Sequence, residues 1–135
     1  MPEPILQLSQ PGRVLVVDDE QDILDSLKTL LESALPGLEC LIAPSGAEGL
    51  RLLSQGGVDM VISDYKMPDM NGLRFLEQAR AMAPEVPRLL MTAFPHLEVA
   101  IEAINEARVE VFLTKPLDPD KLLKVVAEKL NARAK

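Results

Sequence analysis

Asp18 and Asp19, Asp64, Thr92 and Lys115 each sit at the end of a short aliphatic run: Val16-Val17-Asp18-Asp19-Glu20, Ile62-Ser63-Asp64, Leu90-Met91-Thr92-Ala93 and Phe112-Leu113-Thr114-Lys115-Pro116. Each alone has an ordinary explanation. An acid pair suits a helix N-terminus, an aspartate before Lys66-Met67-Pro68-Asp69-Met70-Asn71-Gly72 suits a turn, and a lysine suits any surface. Together they are three carboxylates, one hydroxyl and one ammonium group. Like charges in one place raise each other's pKa unless a cation offsets them, so a hard divalent ion is the expected occupant. Mg2+ takes oxygen ligands and is commonly held by one or two carboxylates plus phosphate oxygens. The matching chemistry is phosphoryl transfer, with Asp64 as nucleophile, Asp18 and Asp19 toward the metal, and Thr92 and Lys115 toward the phosphoryl oxygens.

For these residues to meet, the aliphatic runs must lie side by side. The predicted strands are residues 14–17, 38–43, 58–63, 88–91 and 109–113, rich in aliphatic and β-branched side chains. Between them Ile23, Leu24, Leu27, Leu30, Leu31 and Leu35 recur at helical spacing, as do Leu73, Leu76, Ala79 and Met82, then Leu97, Ile101 and Ile104, and finally Leu122, Leu123, Val126 and Leu130. Residues 45–55 form a shorter helix with Gly49 inside it, at a cost of about 1 kcal/mol relative to Ala. Strict alternation of five strands and five helices predicts an α/β fold, a doubly wound (βα)5 with a five-stranded parallel sheet. Such sheets place their sites at the carboxyl ends of the strands.

Composition narrows the function. The chain has 135 residues, which bury about two-thirds of the unfolded surface in a single core. Its net charge of −7 repels phosphate backbones and disfavours direct nucleic-acid binding. Three Phe, one Tyr and no Trp offer little platform for base stacking. The single cysteine, Cys40, excludes a disulfide framework and a multi-cysteine zinc site, and its apolar strand makes it a core residue. No stretch reaches the length of a membrane helix and the N-terminus lacks a signal-peptide pattern, so the expected compartment is the cytoplasm and no membrane is involved. Residues 1–11, with three prolines, predict an extended lead-in, and residues 12–132 the domain.

The motifs Val-Val-Asp18-Asp19-Glu20, Ser-Asp64-Tyr-Lys-Met-Pro-Asp-Met-Asn-Gly72, Met-Thr92-Ala93 and Phe112-Leu-Thr-Lys115-Pro116 resemble, in order and spacing, the receiver domains of two-component response regulators, the CheY-like superfamily. That fold is the flavodoxin-like one with strand order 2-1-3-4-5. The resemblance implies that Asp64 accepts a phosphoryl group from a sensor histidine kinase or phosphotransfer protein. It implies direct Mg2+ ligation by Asp19, Asp64 and the Lys66 carbonyl, with Asp18 acting through a metal-bound water. Lys115, the Thr92 hydroxyl and the Ala93 N–H would bind the phosphoryl oxygens, and the Lys115–Pro116 peptide would be cis. It also implies a switch in which Thr92 moves toward the phosphoryl group and Phe112 rotates into the space behind it, with Lys66 and Phe94 tuning hydrolysis.

Output in this family passes to a downstream effector domain or protein, or through a homodimer, on the face of the fourth helix, fifth strand and fifth helix. On that face Glu98, Glu102 and Glu106 form an acidic row near Lys121, Lys124 and Lys129, which a solvated surface explains equally. His96 is expected at the surface beside the switch. The segment Glu106-Ala-Arg-Val-Glu110 lacks the glycine that receivers often carry before the last strand, so the turn there is open. Two other classes compete: an aspartate-dependent phosphohydrolase, whose second acid after the nucleophile is absent from Asp64-Tyr65-Lys66, and a flavin mononucleotide carrier, whose phosphate loop would not begin with two acids.

Overall fold

A computed structural model of the chain describes residues 7–93, 105 and 107–133. The elements run β1 (Gly12–Val17), α1 (Gln21–Ala34), β2 (Leu38–Ala43), α2 (Gly46–Ser54), β3 (Met60–Asp64), α3 (Gly72–Met82), β4 (Arg88–Thr92), β5 (Val111–Thr114) and, numbered here as the fourth described helix, α4 (Pro119–Asn131). The strands form one parallel sheet in the order β2-β1-β3-β4-β5, as predicted. The helix predicted around Leu97, Ile101 and Ile104 lies outside the described residues, as do Phe94, His96, Glu98, Glu102 and Glu106.

Successive side chains on a strand point to opposite faces, and the sheet is buried on both. Val14 and Val16 of β1 join Cys40, Met60, Ile62, Leu89 and Met91 beneath α1 and α4, against Leu24, Leu31, Leu122 and Leu130. Leu15 and Val17 face the other way, with Val61 and Leu90, against Leu53 of α2 and Leu73, Phe75 and Leu76 of α3. Phe75 is fully buried. Gly49, a weak helix former inside α2, stands where any Cβ would come within 2.8 Å of Phe75 and 2.9 Å of Val17. The propensity cost is offset by this close approach.

Several strand boundaries differ from the predicted ones by one or two residues: β1 begins at Gly12 rather than Val14, and β3, β4 and β5 each run one residue further, to Asp64, Thr92 and Thr114. β3 begins at Met60 rather than Val58, because Gly56 and Gly57 both take positive φ and the chain joins the sheet only after that turn. β5 begins at Val111 rather than Val109. Just before it, Arg108 adopts φ 52, the left-handed conformation in which a glycine would sit without strain. Arg88 holds this turn. Its guanidinium is buried and donates to Ala107 O at 2.8 Å, Val86 O at 2.8 Å, and Pro84 O and Arg108 O at 3.3 Å. A charged residue opening a strand is thus satisfied by four carbonyls, as burial requires.

At the exposed edge of the sheet, β2 is covered by side chains. Glu32 accepts from Cys40 N at 2.8 Å, and Lys28 donates to Cys40 O at 2.7 Å while pairing with Glu32 at 2.9 Å. An unpaired edge invites strand addition, and these two residues close it at Cys40. Cys40 itself is buried, as expected, and burial pushes its thiol up to about 12. At the start of the chain's described part, Asn131 accepts from Ser9 N at 2.7 Å and donates to Gln7 O at 2.9 Å. Arg133 donates to Gln10 O and Pro11 O, so the lead-in from Gln7 to Pro11 is fastened to the end of α4.

Candidate functional site

Sheet register brings the chemistry to one edge. Val17 pairs with Ser63, Asp64 with Met91, and Thr92 with Thr114. The residues that follow β1, end β3, end β4 and follow β5 are therefore neighbours: Asp18, Asp64, Thr92 and Lys115. A ladder-like backbone network continues past the strand ends, with Asp18 N bonded to Ala43 O at 3.1 Å, Tyr65 N to Met91 O at 2.9 Å and Lys115 N to Thr92 O at 3.0 Å.

Asp18 is fully buried, Asp64 and Thr92 are buried, and Asp19 is exposed at the rim. Asp18, Asp19 and Asp64 each offer a carboxylate oxygen within 4.8 Å of the others. Lys115 Nζ stands 3.0 Å from Asp64 Oδ1 and 3.4 Å from Asp18 Oδ2. The Lys115–Pro116 peptide is cis. Glu20 N donates to the other oxygen of Asp18 at 2.9 Å, so Asp18 is held from both sides.

Burial raises the Asp64 pKa, the charge of Asp18 adds to that, and Lys115 opposes both. Desolvation works against the Lys115 ammonium, yet the carboxylates of Asp64 and Asp18 overcome it and raise its pKa. Lys115 is therefore held as a cation beside the two aspartates.

Above these groups opens a cavity of about 370 Å³ lined by Asp19, Glu20, Asp64, Tyr65, Lys66, Thr92, Ala93 and Lys115. It has room for a phosphoryl group. Among the described residues the anionic ligands it offers are carboxylate oxygens, with no histidine or cysteine, which fits a hard cation such as Mg2+. Glu20 and Tyr65 were assigned no role from sequence. Both adjoin predicted site residues, and that adjacency was the only signal available.

Phe112 is half-buried and packs against the cluster containing Leu15 and Leu90. Gly72, the last residue of the motif that follows Asp64, explains its own identity. A Cβ there would lie 2.1 Å from Asp64 O, and Gly72 N donates to Tyr65 O at 2.7 Å. α3 thus begins in direct backbone contact with the end of β3.

Residues 14–127 match the family model described as the response regulator receiver domain. The chain belongs to that family. The receiver is 36% identical over 125 residues to the transcriptional regulatory protein GlrR of Escherichia coli strain K12, a match covering 93% of this chain and 28% of GlrR. It is likewise 36% identical over 124 residues to the DNA-binding transcriptional regulator NtrC of the same strain, covering 90% of this chain and 25% of NtrC. The chain therefore spans about a quarter of the length of these curated relatives. Among solved structures, the CheY-like receiver domain protein of Methanospirillum hungatei superposes with a TM-score of 0.84 at 34% identity, over 90% of this chain and 95% of that one.

Family membership favours a phosphoacceptor signalling module over the hydrolase and flavin-carrier alternatives. On the predicted output face, Lys121 and Lys124 are exposed and Lys129 pairs with Glu110 at 3.1 Å; its acidic row lies outside the described residues. Among the described residues no helix is long and apolar enough to cross a membrane.

Proposed function

We propose that Asp64 is the phosphoacceptor of this receiver, and that Asp18, Asp19, Asp64 and the Lys66 carbonyl hold Mg2+ while Lys115, Thr92 and Ala93 hold the phosphoryl group. The observation that carries this reading is the convergence of three carboxylates with Lys115, 3.0 Å from Asp64, beside a cavity that Asp19, Asp64 and Lys115 line.

An Asp64 oxygen attacks the phosphorus of a phosphohistidine on a sensor histidine kinase or phosphotransfer protein. The new O–P bond forms as the P–N bond breaks; the imidazole nitrogen keeps the electron pair and takes a proton from solvent. When bound, Mg2+ offsets the negative charge that gathers on the phosphoryl oxygens. Lys115 supplies a second, permanent cation. It already faces Asp64 and needs no reorganisation to follow the charge, which is the basis of electrostatic preorganisation. Asp18 is buried and held in place by Glu20 N and Lys115, so its carboxylate is fixed beside Asp64. Thr92 and Ala93 line the same cavity, where a hydroxyl and an N–H would meet the remaining oxygens.

Dephosphorylation in the same pocket is attack by water on phosphorus, releasing phosphate and restoring the Asp64 carboxylate. Lys66 on the cavity wall limits access of that water, together with Phe94. Phosphorylation adds charge and acceptor oxygens that draw Thr92 inward, and Phe112 follows, altering the surface around β5 and α4. The output passes in the cytoplasm to an effector domain or protein, or through a homodimer on that surface, without direct nucleic-acid contact by this domain.

The test is incubation with acetyl phosphate and Mg2+ followed by intact mass. One phosphoryl group is expected on the parent and none on Asp64→Asn. Unmodified parent protein, or equal modification of Asp64→Asn, refutes the assignment.

A further inference from the structure

The segment between Asp64 and α3 forms one wall of the site, since Tyr65 and Lys66 line the cavity beside Asp19 and Asp64. Its near end is fixed by Tyr65 N on Met91 O, and its return by Gly72 N on Tyr65 O. Those two bonds close the base of the loop but do not orient its outer part. Met67 and Met70, partly buried, pack against the core of this face, and the directional tie comes from Asp69. Its carboxylate reaches across to a different element and accepts from Gly46 N at 3.2 Å and Ala47 N at 3.0 Å, the first residues of α2.

Beside it, Met70 lies over Gly46, where a Cβ would meet Met70 Cγ at 2.6 Å. α2 is itself a firm reference. Gly49 brings it against Phe75 and Val17 at van der Waals contact, so its N-terminus is located relative to both α3 and β1. Ser45 already caps this helix through Glu48 N at 3.2 Å. Asp69 is therefore additional to the helix's own cap, and what it adds is a connection to the loop.

We propose that Asp69 is a positioning residue for the phosphoacceptor site, tethering the Tyr65–Gly72 loop to the N-terminus of α2 and so setting the cavity wall on which the Lys66 carbonyl meets the metal. The proposal rests on the phosphoacceptor reading above. A carboxylate against two helix N-terminal N–H groups makes strong, directional bonds. Asp69 is exposed, and slight desolvation pulls its pKa up, but the N–H groups of Ala47 and Gly46, with those of Met70 and Asp69 itself, prevail and hold it below its ordinary value, so the tether is charged at neutral pH. Released from α2, the loop samples positions in which the wall no longer faces Asp64.

The experiment separates positioning from helix capping. Asp69→Ala removes the tether, Asp69→Asn keeps one acceptor oxygen, and Ser45→Ala weakens the same helix without touching the loop. Mg2+ affinity is read without phosphorylation from the fluorescence of Tyr65, the chain's only tyrosine in the absence of tryptophan. It is read again as the Mg2+ dependence of phosphorylation by acetyl phosphate, and thermal unfolding is followed alongside.

The expected result is an approximately 10-fold rise in half-saturating Mg2+ for Asp69→Ala, the scale seen when outer-shell partners of metal ligands are removed. Asp69→Asn falls between it and the parent, while Ser45→Ala loses thermal stability with the parent's Mg2+ dependence. Unchanged half-saturation in Asp69→Ala and Asp69→Asn, or an equal rise in Ser45→Ala, overturns the proposal alone. A parent that neither responds to Mg2+ nor takes up a phosphoryl group overturns the phosphoacceptor reading, and this proposal with it.

Discussion

Replacing Gly72 by alanine adds a single methyl group at the junction of β3 and α3. In a helix this change normally stabilises by up to about 1 kcal/mol. Here the new Cβ would sit 2.1 Å from Asp64 O, 2.9 Å from Asp64 C and 3.0 Å from Tyr65 Cα. All three are backbone atoms, so no rotamer change relieves them. Bringing the shortest contact from 2.1 to 3.0 Å requires the end of β3 and the start of α3 to separate by 0.9 Å. Overpacking of this kind costs about 1–3 kcal/mol, and rigid partners place Gly72 at the upper end, for a net loss of about 2 kcal/mol after the propensity gain. Asn71→Ala is the calibration: it removes the cap of the same helix, a bond from Arg74 N to Asn71 Oδ1 at 2.9 Å, and costs about 1 kcal/mol. Urea unfolding of both variants at neutral pH compares the two losses. Because the displaced atom is the carbonyl of Asp64, phosphorylation of Gly72→Ala by acetyl phosphate slows as well. A variant as stable as the parent, or one that loses less than Asn71→Ala, would refute the steric reasoning.

Two further predictions concern the fold. Burial pushes the Cys40 thiol from 9.0 to about 12, so above pH 9 the unfolded chain releases a proton that the folded chain keeps. Stability contributed by Cys40 therefore falls as pH rises from about 9 to about 12, by up to about 1.4 kcal/mol per pH unit. The urea midpoints of the parent and Cys40→Ala should converge across that window, and parallel curves would contradict the shift. Arg108→Gly should stabilise the protein by about 1 kcal/mol, because glycine takes the φ of 52 without the penalty that a side chain brings there. A loss of stability in the same denaturation assay would show that the Arg108 side chain contributes more than its backbone costs.

The sheet order and the site edge were legible because they depend on local signals: aliphatic runs of strand length, helical spacing between them, and acids directly following β1 and within β3. Features that depend on distant backbone were not. In the sequence Arg88 is simply the first residue of a predicted strand, and only the carbonyls of Pro84, Val86, Ala107 and Arg108 around it account for its burial. The bonds to Ala107 and Arg108 join segments 19 and 20 residues apart, and the start of β5, which follows from the Arg108 turn, depends on the same pairing. Asp69 carries no local pattern marking it as a partner of α2, since Gly46 and Ala47 lie 23 and 22 residues away. Gly72 ends the motif after Asp64, but the reason for a glycine there is that any Cβ would run into Asp64 O, which follows only once β3 and α3 are placed. The fastening of Gln7 and Ser9 to Asn131 joins opposite ends of the chain, beyond the reach of any window of sequence.

The central claim is that the phosphoryl group resides on Asp64 and on no other carboxylate of the cluster. Borohydride reduces an acyl phosphate to the alcohol, converting a phosphorylated aspartate to homoserine, and peptide mass mapping then locates the change. After treatment with acetyl phosphate and Mg2+, homoserine is predicted at position 64, with Asp18 and Asp19 intact. Homoserine at 18 or 19, or at no position, would contradict the account.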